Sequence, residues 1–133
     1  MVSDVGKEVL RDIGLLAEYI IRKSKGYDDT ADNCIRDKII RDMAEMTSRM
    51  KNEIRLVCID DLRMLNDNHD IAVVECVDML DDAVKKEPYN NNEVKFKADA
   101  VISMVLDIIH QNIREDADYK KISEGVINEN VQI

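Results

Sequence analysis

The sequence predicts an all-α protein, an antiparallel helical bundle of about four helices in a single domain over 1–133. Three observations carry that prediction. Apolar residues recur at steps of three and four rather than two, the spacing that lines one face of a helix and not one face of a strand. Only one proline and four glycines punctuate the chain, so helices can run long. The connections between most apolar stripes are short, and short links make neighbouring helices antiparallel, as in an up-down bundle.

The first helix is expected over about 3–25, with Val5, Val9, Leu10, Ile13, Leu16, Ala17, Ile20 and Ile21 as its apolar positions. Ser3 or Asp4 is placed to accept a bond from an orphan N–H at its start. Gly26 follows the last apolar residue, where a left-handed C′ residue is wanted. The second helix is expected over about 30–66 through Ile35, Ile39, Met43, Met46, Met50, Ile54, Val57 and Leu65. It would extend roughly 50 Å, and a helix that long needs neighbours along all of it. Its methionines, Met43, Met46, Met50 and Met64, suit irregular core gaps; a Met-rich recognition groove is the alternative. "NDNHD" (66–70) reads as a turn. The third helix is expected over about 69–87, with Val73, Val77, Leu80 and Val84 inward and Pro88 ending it. "EPYNNNE" is a loop. The fourth helix starts near Asn90, whose spacing to Glu93 resembles a capping box. It runs to about 127 through Val94, Val101, Met104, Val105, Ile108, Ile109, Ile113 and Ala117, and the tail "NENVQI" frays.

Composition narrows the function. Apolar residues make up 45% and charged residues 35%, too apolar for a disordered chain and too charged for a membrane one. No run approaches ~20 consecutive apolar residues, so no direct membrane insertion is expected. "MVSDVGKEVL" lacks a basic region followed by an apolar one, which predicts no signal peptide and a cytoplasmic protein. Cys34, Cys58 and Cys76 form no CxxC pair and no disulfide framework; each is expected as a small hydrophobe in a reducing compartment. The net charge of −9 and the lack of a Lys/Arg cluster argue against nucleic acid as a partner. With one Phe, four Tyr and no Trp, stacking platforms for bases are not expected. An acidic surface favours basic protein partners or divalent cations.

Asp78 and Asp82 fall at i,i+4 in the third helix with Asp81 beside them. That spacing puts two carboxylates on one face, within reach of a shared hard cation; a solvated acidic face is the plainer reading. Asp4/Glu8/Asp12 and Asp28/Asp32 have the same spacing, so it discriminates little. His69 and His110 are the only histidines. Neither belongs to an HxxxH or ExxH pair, which leaves zinc or di-iron chemistry poorly supported. "RMLNDNH" (63–69) is similar to the Arg–His motif of HEPN-type helical ribonucleases. Here, however, five residues separate Arg63 from His69 rather than four, and Met64 stands where a polar residue is usual. No GxSxG or P-loop is present. No catalytic or cofactor-binding set emerges, and a non-enzymatic protein is expected.

The stretch 40–86 resembles the PhoU family of phosphate-uptake regulators. Met43-Ala44-Glu45-Met46 matches the "MAEM" of a long family helix, and Val77, Asp78 and Leu80 match the end of a following "DxxVDxL"; Val74 takes the place of the upstream Asp. "NIREDADYKKISE" (112–124) is similar to the family's "NLERIGDHAxNIAE" through Asn112, Ile113, Ala117, Asp118, Ile122 and Glu124, with one residue deleted before Ile122. "RDIGLLAEYI" (11–20) resembles "ERIGDYAENI" through Ile13, Gly14, Ala17, Glu18 and Ile20. The resemblance spans about 8–128 and makes the first and last helices equivalent members of two repeats. It implies a spectrin-repeat-like three-helix unit plus an extra N-terminal helix. That is about one and a half repeats, or a piece of a larger protein such as the cytoplasmic part of a sodium–phosphate cotransporter.

It also implies function: a regulator of phosphate uptake and phosphate homeostasis that docks a phosphate-transporter ATPase subunit or a sensor histidine kinase. The contacts would be acidic residues including Glu75, Asp78 and Asp82. Some family members bind metal clusters through an ExxxD motif. In this chain Arg114 occupies the first position of that motif and Asp118 the second, while Arg11 and Leu15 replace both in the first helix. The metal expectation therefore reduces to a weakly bound divalent cation at Asp78, Asp82, Glu115 and Asp118. A missing half-repeat would leave an apolar face of the first or last helix open, and a homodimer is expected to cover it.

Overall fold

A computed structural model describes residues 4–56 and 72–110. Four helices occur among them: α1 (Asp4–Asp29), α2 (Asn33–Ile54), α3 (Ala72–Lys85) and α4, helical across 91–110. No strand occurs among the described residues. The helices form a ring. α1 packs on α2 and α2 on α3. α3 lies beside α4, where Met79 and Asp82 share a hollow with Glu93 and Lys97, and Lys86 just past the end of α3 pairs with Glu93. α4 returns to α1, where Asn91 bonds the Ser24 carbonyl and Val105 faces Gly14. The direction alternates around the ring. Asp78 lies beside Lys51 at the end of α2 and Val84 beside Ala44 further back, while α4 starts against the end of α1. This is the expected up-down bundle.

The core is built from one stripe per helix. Leu10, Ile13, Ala17 and Ile20 from α1 meet Ile39, Met43 and Met50 from α2. Val73, Val77, Leu80 and Val84 from α3 and Val94, Ala98, Val101, Val105 and Ile108 from α4 complete it. Met46, Ile54, Met104 and Ile109 pack partly buried on its edge. The stripes of α1 and α4 are buried against their own chain, so no open apolar stripe remains on either among the described residues. Val5 and Ile35, expected inward, are exposed. Cys34 is exposed and Cys76 half-buried, so of these two Cys76 behaves as the expected small hydrophobe; Cys58 lies outside the described residues.

Two helix ends differ from expectation. Gly26 does not end α1: the helix continues to Asp29, and no glycine among the described residues has positive φ. The extra turn is held by tertiary contacts. The Tyr27 ring lies 4.9 Å from that of Tyr89, the Arg36 guanidinium sits 4.5 Å over Tyr27, and Asp28 receives bonds from Asn91 and Lys95. The second helix, expected to run on to about 66, ends at Ile54, and residues 57–66 lie outside the described residues. Its last turn tightens, with the Leu56 N–H donating to the Glu53 carbonyl at 3.0 Å, a three-residue step typical of helix ends. No Gly or Pro marks that stop.

Two starts match their caps. Asp32 Oδ1 accepts from the N–H groups of Cys34 and Ile35 at 2.8 and 3.3 Å. Asn90 Oδ1 accepts from Glu93 N–H at 3.1 Å. The Glu93 side chain completes no capping box there, because Lys86 takes it at 3.1 Å. No helix among the described residues is long and apolar enough to cross a membrane.

Candidate functional site

The three aspartates of α3, Asp78, Asp81 and Asp82, have three different fates. Asp81 is 4% exposed and points into the α2–α3 seam. The Thr47 hydroxyl donates to its Oδ1 at 2.6 Å, and Lys85 Nζ approaches the same oxygen at 2.7 Å. Lys51 Nζ lies 3.4 Å from Oδ2. Burial alone pushes this carboxyl up. The bonds from Lys85 and Thr47, with the charges of Lys85 and Lys51, outweigh it and hold the group below its ordinary value. Asp78 lies at the rim, 3.6 Å from the same Lys51. Asp82 is exposed.

The seam therefore fixes which residues α3 presents outward. Helical spacing puts Glu75, Met79 and Asp82 on one line, at i, i+4 and i+7. Glu75 and Asp82 are exposed and Met79 is 48% exposed. The result is a short ridge with an apolar centre between two carboxylates. Beside it, between α3 and α4, a shallow hollow is lined by Met79, Asp82, Lys86, Glu93 and Lys97. On the other side an open groove of about 630 Å³ follows the seam over Ile40, Ala44, Val84 and Tyr89, with Arg41 and Cys34 at its margin.

Of the expected metal set, Asp78 and Asp82 lie on α3, and Glu115 and Asp118 lie outside the described residues. Asp78 already faces a lysine, and the nearest third carboxylate, Asp81, is engaged by Thr47 and two lysines. Among the described residues no group of three or more His, Cys, Asp or Glu side chains is arranged to hold a metal. Arg63 and His69 also lie outside the described residues, and His110 is exposed on α4.

A second polar cluster ties the other end of the bundle. Asn91 Nδ2 donates to the Ser24 carbonyl at 2.8 Å and to Asp28 Oδ1 at 2.9 Å, and Tyr89 donates its hydroxyl to Asn91 Oδ1 at 2.6 Å. Bonds from Lys95 and then Asn91 hold the Asp28 carboxyl below its usual range. Burial, with Tyr27 and Asp28 nearby, pushes the Tyr89 phenol up.

The sequence singles out Asp78 and Asp82 by their spacing and offers Asp81 only as their neighbour, without a role of its own. The signal was present. Asp81 stands four residues after Val77 and three before Val84, inside the apolar stripe of α3. Thr47 stands likewise between Met43 and Met50. A lone polar residue in each of two facing stripes marks a buried pair. Comparison of the chain with protein-family models, with curated proteins and with solved structures finds no match.

Proposed function

We propose that this chain is a non-enzymatic docking protein that presents the outward ridge of α3 to a basic partner, and that it regulates phosphate uptake through that contact. One observation carries the docking part: Glu75, Met79 and Asp82 face solvent in a row while Asp81 is clamped inside. The clamp fixes the rotation of α3, so the ridge is held ready rather than assembled on binding. An amphipathic segment with an apolar residue between two cations would match it. Charge would speed and orient the encounter, and salt would weaken it.

The process rests on the PhoU resemblance of 40–86 and 112–124. In that reading the partner is a phosphate-transporter ATPase subunit or a sensor histidine kinase. Regulation follows if the partner exposes its basic segment in only one of its states, because binding then shifts its equilibrium toward that state.

The test is co-purification from cells grown with and without phosphate. A transporter or kinase component should accompany the wild-type chain and be lost from Glu75→Lys/Asp82→Lys, a variant that touches only exposed positions and should keep its helical circular dichroism. Retention of the partner by the reversed variant, or a partner set unrelated to phosphate, contradicts the proposal.

A further inference from the structure

The outward face of α1 carries two heptad-spaced rows. One reads Glu8, Leu15, Arg22; the other reads Asp4, Arg11, Glu18, Lys25. All seven residues are exposed, and Leu15 is 55% exposed with Tyr19 51% exposed beside it. None of the six charged members has an ion pair among the described residues. The Cβ position of Gly14 lies 3.4 Å from Val105 Cγ1, and Leu106, the next residue on α4, is another exposed apolar residue. The face thus has an apolar middle and ordered charges toward both ends.

The order of those charges reads as its own opposite when reversed. An axis at Leu15 sets Glu8 against Arg22 of a second copy and Leu15 against Leu15. Shifted by half a residue, the same axis sets Asp4 against Lys25 and Arg11 against Glu18. A parallel arrangement would oppose like charges at every one of these positions. We infer that the outward face of α1 is a self-association surface, on which a second copy of this chain docks antiparallel about a two-fold axis at Leu15. The occupant is a second copy because one surface supplies both halves of each charge pair, which is the requirement of a two-fold contact.

This inference stands apart from the docking proposal. α1 and α3 are diagonal in the ring, so pairing through α1 leaves both α3 ridges facing away from the dimer. It also replaces the reason for a dimer drawn from sequence, since among the described residues the core stripes of α1 and α4 are already buried and the contact is mostly polar. Such a contact is weak and salt-dependent.

Sedimentation equilibrium of the full chain over a range of concentrations tests it. A monomer–dimer equilibrium that weakens with added salt is expected. Each two-fold contact holds Glu8–Arg22 twice, so Glu8→Arg alone or Arg22→Glu alone turns two attractions into repulsions. Each should weaken association by about tenfold, and Leu15→Glu at least as much. The double variant Glu8→Arg/Arg22→Glu should return to within about threefold of wild type, because the exchanged charges pair again. A chain that stays monomeric at all concentrations, single reversals that leave association unchanged, or a double variant as weak as the sum of the singles overturns the inference.

Discussion

Replacing Asp81 with alanine tests the clamp that orients α3. The change removes the Thr47 bond of 2.6 Å and the lysine contacts at 2.7 and 3.4 Å. A hydrogen bond to a charged group contributes about 1.5–3 kcal/mol. Only the Thr47 bond is buried at both ends. Lys51 and Lys85 are 39% and 49% exposed and regain water, so each adds no more than the ~0–1 kcal/mol of a surface pair. Thr47 is not orphaned, because its hydroxyl also lies 3.1 Å from the Ala44 carbonyl. The loss at pH 7 should therefore be about 2 kcal/mol. Its pH dependence follows from the lowered carboxyl. The unfolded chain takes up the proton first, near the ordinary value of 3.8, so the stabilisation is full above that value. It is lost as pH falls through the still lower folded value. Urea unfolding followed by circular dichroism, stepped from pH 7 to about pH 3, should show the gap between wild type and Asp81→Ala closing with acid. A loss below about 0.5 kcal/mol at pH 7, or one that does not shrink with acid, would show that Asp81 does not clamp α3.

Three further outcomes rest on other contacts in the bundle. Gly26→Ala should stabilise the fold by roughly 0.5–1 kcal/mol, since Gly26 is helical and an added Cβ meets only Ile39 Cδ1 at 3.8 Å; a left-handed helix end would give a loss in the same melt. Glu53 has its Oε2 buried with no hydrogen-bond partner, and burial with the nearby charge of Asp12 pushes its carboxyl up. Its ionisation therefore costs stability as pH rises through the raised folded value. Glu53→Gln should match or exceed wild type by up to about 1 kcal/mol at pH 7 and lose that advantage below the ordinary 4.5, as read by urea midpoints. Asn91→Ala should cost about 1–2 kcal/mol and speed hydrogen exchange in the first turn of α4, because it removes both bonds from Asn91 Nδ2 to α1.

Much of the fold was legible because it depends on periodic burial. Val73, Val77, Leu80 and Val84 gave away α3, and Asn90 with Glu93 marked the start of α4. Helix ends set by distant partners were not legible. Gly26 has the local look of a stop, yet Tyr89, Asn91 and Lys95 sit on the next turn and extend the helix. The end of α2 at Ile54 has no breaker residue at all. For the candidate surface, the acidic character of α3 could be read from spacing, but the sorting of Asp78, Asp81 and Asp82 into rim, core and solvent needed the position of Thr47 on another helix. The self-complementary order of charges on α1 was in the sequence throughout. It acquires meaning only once the outward side of α1 is known.

The claim that α3 docks a basic partner is tested most directly with purified components. The wild-type chain would be titrated calorimetrically into the phosphate-transporter ATPase subunit, and separately into the cytoplasmic part of the sensor kinase, at several salt concentrations. Binding to one of them is expected, weakening steadily with salt and lost in Glu75→Gln/Met79→Ala/Asp82→Gln, with thermal stability unchanged. Binding of the triple variant as tight as wild type, or no binding to either partner at low salt, would contradict that claim.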